Sequence, residues 1–374
     1  MGNKKNKVII SGYYGFGNIG DEAILTSIVD TIRAEKPNTE FVVLSSDPEF
    51  TAHDLNVKSI NRLNIPLLSL ELLSSNLFIS GGGGLMQDVT GPMSTAYYGG
   101  LIKLAQMFKV PTMIYAQGIG PLKKEFNKNL VKNIFNKVNA ITVREVFSRD
   151  DLINMGVSQN KIQVTADPAL LLDTISKEKV REIYSEANID LSIPIIGIAI
   201  RPWHAWYERQ LKAFTSVVYQ LAKKYGMQIV LIPFQLSSDL WLSREAEVCF
   251  KIRPDSDVPV TVLERALSPK EMMGIIGSTH VIIGMRLHAL IMAAAQNVPS
   301  VGIAYDPKVK HFSNLAGFPY IESVTDLQNI ENVLMTIESV VSNINEKRNE
   351  LNLNIPKLRE LSKQNVNTAI SFLN

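Results

Sequence analysis

Short apolar runs alternate with longer segments of helical period from the start of the chain to about position 320. That rhythm predicts parallel strands joined by crossover helices. In the first half the predicted strands are KVIIS, EFVVLS, NVKSI, NLFIS, PTMIYA and AITVR, with amphipathic segments at 19–35, 95–109 and 125–138 between them. A polar stretch at 174–192 reads as a helix plus linker. A second set of strands, PIIGIAIRP, MQIVLIP, VPVTVL, HVIIGM and PSVGIAY, then follows with helices predicted at 207–224, 239–250 and 268–276. The last has a capping box, with Ser268 as N-cap, Pro269 in the first turn and Glu271 at N3. Residues 325–374 read as a helical tail that packs back across both domains.

Length supports the division, because 374 residues exceed what one core of about 150 to 200 residues usually holds. The expectation is an α/β protein with two Rossmann-like domains, 1–173 and 193–324, facing a central cleft in a GT-B-like plan. Composition is that of an ordinary globular protein, 46% hydrophobic and 20% charged. A net charge of +2 argues against a nucleic-acid partner, which calls for a stronger basic excess. A single cysteine, Cys249, excludes an internal disulfide and any multi-thiolate metal site. After the basic start MGNKKNK only a short apolar run precedes Ser11-Gly12, which is too short for a signal peptide. No apolar run approaches the roughly 18 residues needed to span a bilayer. The expected location is cytoplasmic, with access to a membrane from that side.

In doubly wound sheets ligands bind beyond the carboxyl ends of the strands, and here those ends carry glycines and charges. SGYYGFGNIGDEAIL, 11–25, is a strand, a glycine-rich turn and a helix start, where backbone N–H groups gather. It is neither a Walker loop nor a clean dinucleotide fingerprint, since Asp21 and Glu22 stand where a pyrophosphate would meet repulsion. Gly17, Asn18, Asp21 and Glu22 instead suit a hydroxyl-rich ligand, against the simpler reading of a tight turn whose acids cap the helix dipole. Four glycines in ISGGGGLMQD, among them Gly82 and Gly83, allow a ligand close to the backbone. Arg144 ends the strand AITVR, and Arg201 follows the apolar IIGIAI ahead of Trp203, His204 and Trp206, aromatics able to stack on a sugar.

The stretch IIGMRLHALIMAAAQNVPSVGIAYDPKVKHF, 282–312, places Arg286 and His288 in the first turn of a helix and Lys308 and Lys310 after the next strand. Cations at a helix N-terminus oppose its dipole, and an anion held between them would reverse that cost. The four are therefore expected to line an anion site.

At these residues the chain resembles the polysaccharide pyruvyl transferase family, and most closely its cell-wall branch, which ketalises N-acetylmannosamine in the secondary cell-wall polymers that anchor S-layers. The motifs that carry the resemblance are GYYGFGNIGDEAIL, SGGGGLMQD, QGIGP, TVRE, ADPALLL and the segment 284–312, in that order. The resemblance implies a GT-B-like fold, phosphoenolpyruvate as donor, no further cofactor, and Arg144, His288 and Lys308 as active-site residues. Beyond residue 320 no motif of the family is placed.

Such a reaction needs an anion clamp, a proton donor to carbon and bases for two hydroxyls. Arg144, Arg286 and Lys308 suit the clamp. His288 suits either a general acid or a further phosphate donor. Asp21, Glu22 and Asp167 are candidate bases or hydroxyl ligands, and the residues call for no metal. Two alternatives remain at this level: a nucleotide-sugar glycosyltransferase of the same fold, and a non-catalytic sugar- or phosphate-binding protein. The acceptor implied is a lipid-diphosphate-linked amino sugar. Lys124, Lys128 and Lys132 recur on one face of the predicted helix at 121–138, where each would contribute about 1 kcal/mol of attraction to an anionic membrane, screened by salt.

Overall fold

The computed structural model describes residues 6–88, 93–253 and 257–373, so the basic start at 1–5 lies outside the described residues. The chain divides into two compact units, Met1–Leu172 with Leu358–Asn374, and Asp173–Lys357.

The first unit runs β1 (Lys7–Ser11), α1 (Ile19–Glu35), β2 (Glu40–Ser45), α2 (Pro48–Leu55), β3 (Lys58–Asn61), α3 (Ile65–Leu72), β4 (Leu77–Ser80), α4 (Ser94–Met107), β5 (Thr112–Gln117), α5 (Glu125–Phe135), β6 (Ala140–Val143), α6 (Val146–Asn154) and β7 (Ile162–Val164). All pairings are parallel, in the order β3-β2-β1-β4-β5-β6-β7. Strand order therefore reverses between β1 and β4, the switch point at which such sheets bind ligands. Helices cover both faces, and this is why the strands read as continuous apolar runs rather than alternations. Ile9, Phe78 and Ile114 face one layer with α3, α4 and α5. Val8, Ile10 and Ile79 face the other with α1 and the end of the chain.

The second unit runs α7 (Lys177–Glu186), β8 (Ile195–Ala199), α8 (Glu208–Lys224), β9 (Gln228–Leu231), α9 (Leu236–Lys251), β10 (Val260–Val262), α10 (Pro269–Gly277), β11 (Val281–Gly284), α11 (Leu287–Ala295), β12 (Ser300–Ile303), α12 (Pro307–Ala316), β13 (Tyr320–Ile321), α13 (Ile330–Val341) and α14 (Ile344–Ile370). Its parallel sheet has the order β10-β9-β8-β11-β12-β13, with the reversal between β8 and β11. Helix α10 has the expected capping box, Ser268 and Glu271 each bonding the other's backbone N–H.

Among the helices the periodicity does not show are two short ones of the first unit. α2 and α3 are only eight residues each, too short for a 3.6-residue repeat to stand out. Their signals are local: Asp47 accepts from the N–H of Phe50 and Asn64 from that of Leu67, each followed by a proline in the first turn. The division of the chain falls at residue 172, and α7 packs into the second unit, with Val180, Ile183 and Tyr184 buried and the Tyr184 hydroxyl bonded to the Ile275 carbonyl. Val333, Ile337 and Val340 of α13 join the second core. α14 carries Pro356 one residue before its share of the second unit ends, and its last turns belong to the first. Among the described residues no helix is long and apolar enough to cross a membrane.

Candidate active site

On the carboxyl edge of the first sheet, the loop after β1 wraps onto the start of α1. Asn18 is the N-cap, accepting from the N–H of Gly20, and its amide donates to Asp21 at 2.7 Å. Gly17 lies at the exposed tip of this loop. Glu22 is buried and turns back to accept the N–H of Gly15 at 2.8 Å. Burial pushes its carboxyl from the ordinary 4.5 up to about 7, with the Gly15 N–H opposing the rise and Asp21 adding to it.

The glycines after β4 serve packing more than the sequence suggests. A Cβ on Gly81 would stand 2.0 Å from the Tyr14 hydroxyl, and Gly82 lies against Ile24 of α1. Gly83 adopts φ +94, and a Cβ there would stand 2.7 Å from a carboxylate oxygen of Asp21. On the side where a Cβ would stand, neighbouring side chains of the same unit occupy the space beside these glycines. The result is that Asp21, half-buried, faces both glycine loops.

Arg144 follows β6 and is buried between two carboxylates. Its Nε donates to Glu145 and its Nη1 to Asp167. Burial works against its charge, but the two carboxylates more than offset this and its pKa is raised. Glu145 is held in turn by Ser148, whose hydroxyl donates to it while accepting the N–H of Ile119. The other oxygen of Asp167 accepts the N–H of Ala169. Asp167 thus orients Arg144 and caps a turn. The Nη2 of Arg144 makes no hydrogen bond among the described residues.

A further group on this edge has no counterpart in the sequence reading. Arg62, just past β3, lies over the rings of Phe16, Tyr97 and Tyr98 at 5.2, 4.3 and 5.9 Å from their centroids. Tyr13 stacks on Phe16 at 4.1 Å. No carboxylate pairs with Arg62 among the described residues. The available signal was its place one residue beyond a strand end, the position that singled out Arg144 and Arg201.

On the second sheet, adjacent strands β8, β11 and β12 deliver Arg201, Arg286 with His288, and Lys308 to one edge. Arg286 is the N-cap of α11 rather than part of its first turn, and its backbone is extended. Its side chain is buried on Asp239, Nε donating at 2.9 Å and Nη2 to the other oxygen, with Ser238 also accepting from Nη2. The expectation of two unneutralised cations at this helix end is therefore corrected. Asp239 supplies the compensating charge, and it also accepts the N–H groups of Phe234 and Gln235 at the start of α9. Its identity was hidden because the sequence pattern starts α9 at residue 239, whereas the helix begins three residues earlier.

Arg201 differs. Its Nη1 donates to the Tyr305 hydroxyl at 3.2 Å, its guanidinium lies 5.3 Å from the Tyr305 ring centroid, and Nε is buried without a hydrogen bond. Among the described residues no carboxylate pairs with it. Lys308 and His288 are half-buried in the first turns of α12 and α11. Lys310 is corrected to a surface role, exposed and paired with Glu322. Trp206 packs edge-on to Phe214 and donates to the Arg201 carbonyl, and Trp203 packs edge-on to Tyr305. Both shape the Arg201 turn.

Two Rossmann-like units with glycine loops and cations on their carboxyl edges define a GT-B-like fold. Residues 18–307 match the polysaccharide pyruvyl transferase family, and the chain belongs to it. It is a pyruvyltransferase, working between a donor and a sugar acceptor. The amylovoran biosynthesis protein AmsJ of Erwinia amylovora is 21% identical, over 91% of this chain and 93% of that protein. Among solved structures, the UDP complex of MnaA from S. aureus superposes with a TM-score of 0.66 at 13% identity, covering 99% of this chain and 97% of that one. HepE of Anabaena with UDP-glucose gives 0.64 at 9% identity, covering 98% and 99%. At these identities the structural likenesses show the fold alone.

Proposed function

We propose that the enzyme transfers the enolpyruvyl group of phosphoenolpyruvate onto two hydroxyls of N-acetylmannosamine in a lipid-diphosphate-linked precursor of a secondary cell-wall polymer, on the cytoplasmic side of the membrane. This places it in the cell-wall branch of its family. The supporting observation is the second unit's edge, to which three neighbouring strands bring Arg201, Arg286 and Lys308, with Arg201 lacking a carboxylate partner among the described residues. A small dianion suits that arrangement, with guanidinium groups giving directed contacts and lysine a point charge.

In the first step an acceptor hydroxyl adds to C2 of phosphoenolpyruvate as C3 takes a proton. The C2–O bond to phosphate then breaks, the second hydroxyl adds to C2, and its proton leaves with the phosphate. The products are a pyruvate ketal and inorganic phosphate, with no cofactor beyond the donor. His288 is assigned the proton to C3 and Asp21 the acceptor hydroxyls. Arg144 is assigned a donor contact through Nη2, its orientation set by Glu145 and Asp167. Arg62, ringed by aromatics and with no carboxylate partner among the described residues, is assigned to an anionic part of the acceptor.

The test is phosphate release from phosphoenolpyruvate by purified enzyme, with and without a lipid-linked N-acetylmannosamine acceptor. Release that depends on the acceptor, with a ketal detected on the sugar by mass spectrometry, is expected. Turnover of a UDP-sugar in its place, with phosphoenolpyruvate untouched, overturns the assignment.

A further inference from the structure

The helices α3, α4 and α5 cover the same face of the first sheet, burying Leu68 and Leu72, Leu101 and Ile102, and Ile134 and Phe135 against it. The outward side of a surface helix is ordinarily polar. Here it is not. On and beside α3, Leu63, Ile65, Leu70 and Leu73 are exposed, the last two at 63% and 72%. Met93 and Met107 flank α4, and Phe126 stands 72% exposed in the first turn of α5.

Charge on this face is one-sided. Lys103, Lys109, Lys123, Lys124, Lys132 and Lys137 are exposed, against Glu125 as the exposed acid of these segments. Glu71 of α3 is buried and held by Lys7 and Lys58. The opposite face, over α1 and α2, exposes Glu35, Asp47, Glu49 and Asp54. Apolar side chains interspersed with lysines on one face, and acids on the other, match the interface of an anionic bilayer, which combines negative headgroups with an apolar boundary.

We propose that the α3–α4–α5 face docks the enzyme on an anionic lipid surface, with the exposed leucines and Phe126 entering the headgroup boundary and the lysines meeting lipid phosphates. The three lysines that the sequence pattern puts forward take a smaller part. Lys124 is the N-cap residue, outside the helix; Lys128 is paired with Glu125; and the stem of Lys132 lies against Gly156. Apolar insertion gives a binding that survives salt, whereas lysines alone would not. Leu63, Ile65, Met93 and Phe126 sit at the carboxyl-edge ends of their helices, the edge that carries the Arg62 cluster. The inference rests on the proposed lipid-linked acceptor and names where the enzyme would meet it.

The experiment is co-sedimentation of the full chain with vesicles of phosphatidylcholine and phosphatidylglycerol in equal parts, and with phosphatidylcholine alone. The wild type is expected to bind the mixed vesicles and to keep part of that binding at high salt. A Leu70→Ser, Leu73→Ser, Phe126→Ser variant should bind at least about 10-fold more weakly, with an unchanged melting temperature and unchanged turnover of a water-soluble acceptor. A Lys103→Gln, Lys109→Gln, Lys123→Gln variant should bind more weakly at low salt only. Wild-type protein that ignores the mixed vesicles, or a serine variant that binds them as well as wild type, overturns the proposal. So does a dimer of the wild type in solution that the serine substitutions abolish. Vesicle binding is read without turnover, so it stands or falls separately from the pyruvyl-transfer assignment.

Discussion

Arg286 and Asp239 come from different crossover units of one sheet, yet they form a buried, two-point ion pair, and Asp239 has no exposed surface. Removing one partner leaves the other charged and buried, which costs about 3–5 kcal/mol. Asp239→Ala should therefore lower the urea midpoint sharply, and Arg286→Met in the same chain should restore part of the loss. Equal midpoints for wild type and Asp239→Ala would remove the pair from the stability of the second unit.

Arg201 gives the contrasting prediction. With no carboxylate partner among the described residues to leave behind, Arg201→Gln should keep the melting temperature within a few degrees while raising KM for phosphoenolpyruvate at least about 10-fold, the loss of one charge-assisted contact. Donor titrations with unchanged KM would exclude it from the anion site.

Arg144→Lys tests a fork rather than a charge. Lysine keeps the cation but cannot address Glu145 and Asp167 together while offering a third group outward. Both stability and kcat/KM for the donor should fall, by contrast with Arg201→Gln, where kinetics alone change. A lysine variant with wild-type kinetics would make Arg144 purely structural.

Glu22 links the glycine loop to pH. Its carboxyl is raised by burial from 4.5 to about 7 in the folded chain, so the folded state binds its proton more tightly than the unfolded state. The stabilisation is full below pH 4.5 and is lost as pH rises to about 7, a change of about 3 kcal/mol at about 1.4 kcal/mol per unit. Glu22→Gln retains an acceptor for the Gly15 N–H without the titration. Between pH 5 and 8 the variant should lose less stability than the wild type in denaturant titrations; parallel pH profiles would contradict the assignment.

Much of this architecture is written in local pattern. Runs such as VIIS and FVVLS are apolar because both sheet faces are covered, and the capping box of Ser268 and Glu271 marks a helix start without tertiary information. Arg144, Arg201, Arg286, His288 and Lys308 were all visible as charges at strand ends. What the sequence does not carry is their neutralisation. Asp239 lies 47 residues before Arg286 and Asp167 lies 23 residues after Arg144, and only the crossover geometry brings them together. Tyr14 is likewise hidden, since nothing in the run GYYGFG says that its ring fills the space beside Gly81. The Arg62 cluster draws on three separate segments, each unremarkable alone.

The last turns of α14 have a bearing on how the enzyme is made. Ser362 donates to the carbonyl of Asp167, Asn365 bonds Thr165 and the carbonyl of Ala166, and Val366, Ala369 and Leu373 fill the first core. The segment that aims Arg144 is thus braced by residues translated some 200 positions later. During synthesis the first unit emerges first but lacks this brace until Ser362 and Asn365 follow. A chain cut short within the second unit, beyond residue 312, would carry every motif from GYYGFG to the segment 284–312 and still lack the brace behind ADPALLL.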